Sequence, residues 1–312
     1  MLAGHNALLI SLMRPGSTTI VFWLALSAPL FASCTRATPA PQLLRLATTT
    51  STYDSGLLDA ILPNFESSHN AEVDVVAGGS GQAIEIGKSG DADVLLVHSR
   101  KAEDAFIADG YGVERFPVMF NDFILVGPHS DPAGIASAAS GAEALQRIYD
   151  SQSTFVSRGD DSGTHTKELA LWEAAGLAPG ESDAWYQSIG QGMGETLQFA
   201  HEQQGYTLSD RGTYLSVAES LPDLVVLFGG KTIAENPDPA MRNPYGLIQV
   251  TPDDPLSPAV LTAKEFIAWL TSVETQDLIQ LYGVDEYGQP LFYPSSTAWC
   301  EVNGADSPGC SS

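Results

Sequence analysis

Residues 43–66 read LLRLATTTSTYDSGLLDAILPNFE. The apolar run Leu43 to Ala47 gives way to a block of hydroxyls, Thr48 to Thr52, and apolar residues then recur at helical spacing from Gly56 to Phe65, in a helix that starts near Asp54 or Ser55. A short apolar run closed off by polar breakers reads as a buried strand. The stretch is therefore a strand, a donor-rich turn and a helix. The alternation continues along the chain. Val73 to Ala77, Val94 to Val97, Phe123 to Val126, Phe155 to Val156, Leu224 to Phe228 and Leu247 to Val250 are further strands, and Thr166 to Ala175 and Ala259 to Leu270 further helices. Strands alternating with helices give an α/β class with largely parallel sheets.

Composition bounds what such a chain can do. With 312 residues, two domains are expected, and 44% hydrophobic residues exclude a disordered chain. Only 17% are charged, but 38 Asp and Glu against 14 Lys and Arg leave a formal −24. Nucleic-acid binding needs a basic surface that neutralises phosphates, so that class is excluded. A field of this sign also repels anions at long range. An anion site in this chain has to rely on close donors instead of steering.

The first 33 residues read as an export signal. Arg14 precedes an apolar stretch from Thr19 to Phe31 that is too short to span a bilayer, followed by Ala32-Ser33-Cys34. A Cys after two small residues resembles the lipoprotein signal, with Cys34 as the lipidated first residue and residues 34–42 as a tether; the alternative is a plain signal cleaved near Ala32. The remaining cysteines, Cys300 and Cys310, lie close enough in sequence to pair in an oxidising compartment.

Two more turns share the chemistry of the first: Gly78-Gly79-Ser80-Gly81-Gln82 after the second strand, and Ser157-Arg158-Gly159-Asp160-Asp161-Ser162-Gly163-Thr164-His165 after Phe155-Val156. Each sets hydroxyls and free N–H groups at a helix N-terminus, where partial positive charge favours an anion. Ser and Thr are also ordinary N-caps, so one such turn means little. Three of them, one with an Arg, point to an oxyanion. Arg158 offers a planar fork for two oxygens, and Asp160 is placed to orient it.

Catalytic patterns are missing from the sequence. Ser80 has Gln82 where a nucleophile elbow needs Gly, and Gly87-Lys88-Ser89 lacks the upstream Gly of a phosphate-binding loop. No His-Glu-x-x-His or clustered Cys/His set indicates a metal. A secreted serine hydrolase stays as the remote alternative, because a Ser/His/Asp set leaves no fixed spacing.

TTTSTYDSGLLDAILPNFE (48–66), GDADVLLVH (90–98), MFNDFILVGP (119–128), FVSRGDDSGTH (155–165), GQGMGETL (190–197) and YTLSDRGTY (206–214) resemble, in order, the tungstate-binding proteins of the TupA type, which are extracytoplasmic solute receptors of ABC importers. The likeness reaches to about Gly283. It implies a two-lobed type II periplasmic-binding-protein fold with a central anion cleft. Residues 43–121 plus 247–312 would form one lobe and 122–246 the other, with crossover strands at Asn121 to Val126 and Tyr245 to Val250. It implies tungstate as ligand, no cofactor, a permease with its cytoplasmic ATPase as partner, a monomer, and a location in the periplasm or on a lipid anchor. Carried over by position, the binding residues are Thr49, Thr50, Ser51, Ser80, Arg158, Ser162, Gly163 and Thr164. Molybdate and phosphate are the alternatives, since the Arg-x-Asp-x-Ser-Gly-Thr spacing is shared with phosphate receptors of this fold. Those receptors place a carboxylate after the third strand to accept the phosphate proton, whereas His98 stands there in this chain. A fully deprotonated oxyanion offers only acceptors, which suits a His N–H donor. His98 therefore joins the candidates. Met193 is either a ligand-facing turn residue or packing, Tyr206 and Arg211 hold the second lobe, with Arg211 a structural partner of Asp210 or another carboxylate, Lys167 is solvated, and Trp172, Trp185 and Tyr186 are core or interface residues.

Overall fold

The computed structural model describes residues 40–310 other than 161, 181 and 306. The leader 1–33, Cys34 and all but the end of the tether lie outside the described residues. From β1 (Gln42–Thr49) the chain passes through α1 (Thr50–Asp54) and α2 (Leu57–His69) to β2 (Ala71–Gly78). Then α3 (Ser80–Lys88), β3 (Val94–Val97) and α4 (Arg100–Ala108) lead to the long strand β4 (Gly112–Pro128). Next come α5 (Gly141–Ser151), β5 (Phe155–Ser157), α6 (Gly163–Ala174), β6 (Tyr186–Ser188) and α7 (Met193–Gln203). They are followed by β7 (Thr207–Asp210), α8 (Arg211–Val217) and β8 (Leu224–Phe228). Finally β9 (Arg242–Val250) precedes α9 (Pro258–Leu270), α10 (Val273–Leu281), α11 (Val284–Tyr287), β10 (Tyr293–Pro294) and α12 (Thr297–Asn303).

β1 pairs in parallel with β2 and β3. β9 pairs antiparallel with β3 and with β4, in a register that runs from Gly112 opposite Val250 to Asp122 opposite Arg242. The C-terminal part of β4 continues beyond β9 and pairs antiparallel with β7 and β8. The expected parallel sheets thus need correction: β1–β2, β1–β3 and β5–β6 are parallel, but all the pairings of β4 and β9 are antiparallel. One strand leaves the first half of the structure and the other returns, so they pass in opposite directions. They are the two strands anticipated as crossovers, each longer than its apolar run, with Asn121 and Asp122 opposite Asn243 and Arg242 where their pairing ends.

Strand alternation divides the core. Leu44 and Leu46 of β1 and Val94 and Leu96 of β3 face the α2 and α9 side, packing with Phe65 and Phe266. Ala47, Leu95 and Val97 point the other way, onto Ala83, Ile84 and Phe106 of α3 and α4. On β4 the same device repeats: Phe123 and Leu125 meet Leu145, Ile148 and Trp172, while Ile124 and Val126 meet Leu197 and Tyr214. Each such aliphatic or Phe side chain contributes about 1.5–3 kcal/mol by leaving water. A charge at Leu96 or Leu125, both nearly inaccessible, would break one of these layers. Trp172, Trp185 and Tyr186 are core, as the sequence indicated. The C-terminal helices return to the β1–α2 side through Phe266, Leu270 and Ile279, and Cys300 is bonded to Cys310.

Candidate functional site

The strand ends of β1, β2, β3 and β5 bring the donor-rich turns to one region. The first turn differs from expectation, because α1 starts at Thr50 and not near Asp54. Thr49 is its N-cap: its hydroxyl lies 2.6 Å from Thr52 Oγ1 and 3.2 Å from Ser51 Oγ, so it joins the hydroxyls of the turn. Thr49 is buried, Ser51 half-buried and Thr50 exposed. In the second turn Ser80 opens α3 behind the extended Gly79. Its hydroxyl is buried, and Ser80 Oγ has no hydrogen-bond partner among the described residues.

The third turn is organised by its own charges. Arg158 Nη2 donates to Asp160 Oδ2 at 2.5 Å, and Asp160 Oδ1 accepts from the Ser162 N–H at 3.2 Å. Burial raises the Asp160 carboxyl, but Ser162 and Arg158 more than offset this and hold it below its ordinary value. Gly159 has φ +61°, and a Cβ there would collide with Ser188 Oγ, so a side chain at this position would be strained and would have to displace the Ser188 hydroxyl. Ser162 caps α6 by accepting from the His165 N–H at 3.2 Å, and Thr164 is buried behind it. Arg158 Nε is buried with no partner among the described residues.

His98, at the end of β3, meets this turn. A Cβ on Gly163 would lie 2.7 Å from His98 Cε1, so the absence of a side chain allows the start of α6 to approach the imidazole. The ring also packs on Tyr245, 4.7 Å between centroids. Desolvation pushes the His98 pKa down to about 4 despite a hydrogen-bonding contribution from Asn243. At neutral pH the ring is uncharged, with one N–H to donate. Ser80, His98 and Gly163 line one cavity of 1360 Å³. Arg158, Ser162 and Thr164 belong to the same turn as Gly163 but do not line that cavity, and neither do Thr49, Thr50 and Ser51.

The sequence reading passed over the polar residues where the paired crossovers end. Asn121 of β4 lies opposite Asn243 of β9, and Asn243 Nδ2 donates to Asn121 Oδ1 at 2.8 Å. Asn121 Nδ2 reaches the Tyr245 hydroxyl at 3.3 Å. Tyr245 also interacts with Thr52 and Ser51 of the first turn, and its pKa is raised by burial. The signal was an Asn inside an apolar strand, a residue that buried strands otherwise avoid.

Residues 35–274 match the PBP superfamily domain. The tungstate-binding protein TupA of Peptoclostridium acidaminophilum is 49% identical over 253 residues, covering 80% of this chain and 85% of that protein. The chain belongs to the TupA family. Among solved structures, the tungstate-binding protein TupA of Desulfovibrio alaskensis G20 shares 39% identity with a TM-score of 0.73, over 82% of this chain and 99% of that one. The tungstate ABC transporter structure from Geobacter sulfurreducens shares 48% identity with a TM-score of 0.67, over 78% and 100%.

In this TupA family member the remaining candidates find their places. Lys167 is not solvated, as expected, but half-buried: its Nζ donates to the carbonyls of Ala240 at 2.8 Å and Arg242 at 3.3 Å, and burial lowers its pKa. It sits one helical turn beyond Gly163 on the same face of α6, which the spacing would have shown. Arg211 is structural. Its guanidinium takes both oxygens of Asp122, at 2.8 and 2.6 Å, and donates to the carbonyls of Gly229 and Gly230. Asp210 caps α8 instead, accepting from the Thr213 N–H, and burial raises its pKa within reach of the Arg158 charge. Met193 begins α7 and packs with Leu197, and the Tyr206 hydroxyl donates to Asp131 Oδ1 at 2.8 Å. Among the described residues no group of His, Cys, Asp and Glu could hold a metal, and no helix is long and apolar enough to cross a membrane.

Proposed function

We propose that this protein is the extracytoplasmic solute-binding component of an ABC importer, and that it captures tungstate between two lobes and delivers it to a permease driven by a cytoplasmic ATPase. The TupA proteins it resembles are tungstate-binding by name, and the family is one of binding proteins, so the hydrolase alternative falls away. The observation that carries the reading is that buried donors without partners fall on two of the donor-rich turns: Ser80 Oγ on α3, and Ser157 Oγ and Arg158 Nε before α6. Burying such groups unpaired costs about 1–3 kcal/mol each, which an oxyanion accepting from them would recover.

The lobes comprise residues 43–121 plus 247–312 and 122–246, with Asn121 and Asn243 at the hinge. Thr49, Thr50, Ser51, Ser80 and His98 serve from the first lobe; Arg158, Ser162, Gly163 and Thr164 serve from the second. Closure follows from donors on both lobes, since the anion stabilises the closed state by its differential affinity. The ligand is held by hydrogen bonds without a cofactor. The receptor works as a monomer on a lipid at Cys34, facing the outside of a membrane.

A phosphate receptor is the second reading, favoured by buried Asp210, whose carboxyl feels Arg158 and could accept the proton that phosphate keeps. Calorimetric titration with tungstate, molybdate, phosphate and sulfate decides. Preference for tungstate supports the proposal. Preference for phosphate, abolished in Asp210→Asn, replaces it with the second reading.

A further inference from the structure

The 14 basic residues of this acidic chain are not evenly distributed. Five of them, Arg100, Lys101, Arg115, Lys167 and Arg242, line the same 1360 Å³ cavity as Ser80, His98 and Gly163, and Glu301 is the acidic residue among its described lining. Two of the five are compensated: Arg100 by Asp104 at 2.8 Å, and Arg115 by the buried Glu103 at 2.5 Å. The other three are not held by a salt bridge, although the charge of Asp238 acts on Lys167. Lys167 rests on two carbonyls, the Arg242 guanidinium lies 5.2 Å from the centre of the Phe120 ring, and Lys101 is exposed. None of the three forms an ion pair with a described carboxylate.

Part of the lining is the C-terminal tail. Thr297, Cys300, Gly309 and Cys310 line the cavity, and the Cys300–Cys310 bond closes the tail into a loop. Gly309 is pressed against Pro294 and Phe120, where a Cβ would lie 2.5 Å from the Pro294 carbonyl oxygen. This part of the lining lies beyond the family match, which ends at residue 274.

We propose that the groove is a vestibule for the oxyanion: an outer, transient anion-binding site where Lys101, Arg242 and Lys167 draw a divalent anion past the acidic surface and pass it to Ser80 and the cleft. The proposal rests on the oxyanion-receptor reading above. It differs from the expectation that an anion site in this chain relies on close donors instead of steering. Screening decides which charges an approaching anion feels. The Debye length is about 8 Å at 0.15 M, so at the groove mouth the local cations count and acids on the far side do not. At about 0.01 M it is roughly 30 Å, and the whole −24 charge opposes approach. Low-dielectric walls focus the local field further. Charged residues thus capture the anion outside, and neutral hydroxyls with one Arg hold it inside.

The test is stopped-flow tungstate association, followed by tryptophan fluorescence, for the wild type and for Lys101→Gln/Arg242→Gln. Neither residue belongs to the proposed binding set. At about 0.15 M ionic strength the double variant should associate roughly 3- to 10-fold more slowly, with its dissociation rate within about twofold of wild type. The gap should close near 1 M, where the Debye length is about 3 Å. The wild-type association rate should pass through a maximum as salt rises from about 0.01 M, whereas the variant should only gain. Equal association rates at 0.15 M, or a loss confined to dissociation, would overturn the vestibule while leaving the receptor reading intact. Failure of the wild type itself to bind tungstate would overturn both.

Discussion

Replacing Gly163 by Ala tests the contact on which the two sides of the site depend. The new Cβ would lie 2.7 Å from His98 Cε1 and 3.4 Å from Nδ1, whereas carbon atoms pack at about 3.5–4.0 Å. The imidazole cannot simply withdraw, because Tyr245 is packed on it with ring centres 4.7 Å apart. Relieving the overlap requires the start of α6 and His98 to separate by about 1 Å, and overpacking of this kind costs about 1–3 kcal/mol. Ala is otherwise acceptable there, since Gly163 does not need a left-handed φ and Ala favours helix more than Gly. The cheapest relief is to move the α6 turn, and Arg158 with it, away from His98 and Ser80. The anion-free protein should therefore melt within about 2 °C of wild type, while anion affinity falls by roughly 5- to 150-fold. Because a ligand stabilises in proportion to the logarithm of its saturation, the melting shift at fixed tungstate shrinks by the same 1–3 kcal/mol, or roughly 2–10 °C. Thermal scans with and without tungstate measure both. An unchanged tungstate shift would refute the reasoning, and so would a lower melting point with the shift intact, which would make the contact mere packing.

Arg158→Ala should weaken tungstate binding by about 3 kcal/mol, roughly a hundredfold in titration calorimetry, since charge-assisted bonds in a dry site are the strong ones. Arg158→Lys should restore only part of this, because a point charge does not reproduce the fork. Arg211→Ala should leave Asp122 buried and unpaired and lower the unfolding free energy by about 3–5 kcal/mol in urea; unchanged stability would contradict the structural role of that pair. Glu168, buried and accepting from Tyr186 and Trp172 at 2.7 and 3.1 Å, has its pKa raised by desolvation to about 7. Its folded pKa exceeds the unfolded one, so its contribution is complete below about pH 4.5 and is lost as pH rises through 7. Glu168→Gln keeps both acceptor bonds without the charge and should be more stable than wild type at pH 8, by up to about 3 kcal/mol, with the difference gone at pH 4.

The parts of this structure that could be read from sequence are those where one physical rule acts locally. Val94 to Val97 and Leu224 to Phe228 coincide with their strands because buried strands are bounded apolar runs. The start of α1 could not be placed, because Thr and Ser serve as N-caps and as first-turn residues alike, and only the bond between Thr49 and Thr52 shows which role each takes. Sheet direction was misjudged since strand order says nothing about β4 and β9 passing each other. The turn carrying Arg158 was legible because Arg, Asp and Ser interact within a few residues. Tyr245, the Asn121–Asn243 pair and the cation groove join positions more than a hundred residues apart, and no local pattern encodes such meetings. Lys167 was expected to be solvated, although its helical spacing puts it on the face of Gly163; the carbonyls of Ala240 and Arg242 that take its Nζ come from the distant segment entering β9.

The most direct measurement is the anomalous scattering of tungsten in crystals of the protein grown with tungstate. The account places the strongest anomalous peak within hydrogen-bonding reach of the Arg158 guanidinium and Ser80 Oγ, with the Gly163–Thr164 N–H groups turned toward it. A strongest peak that touches neither Arg158 nor Ser80 would contradict the account.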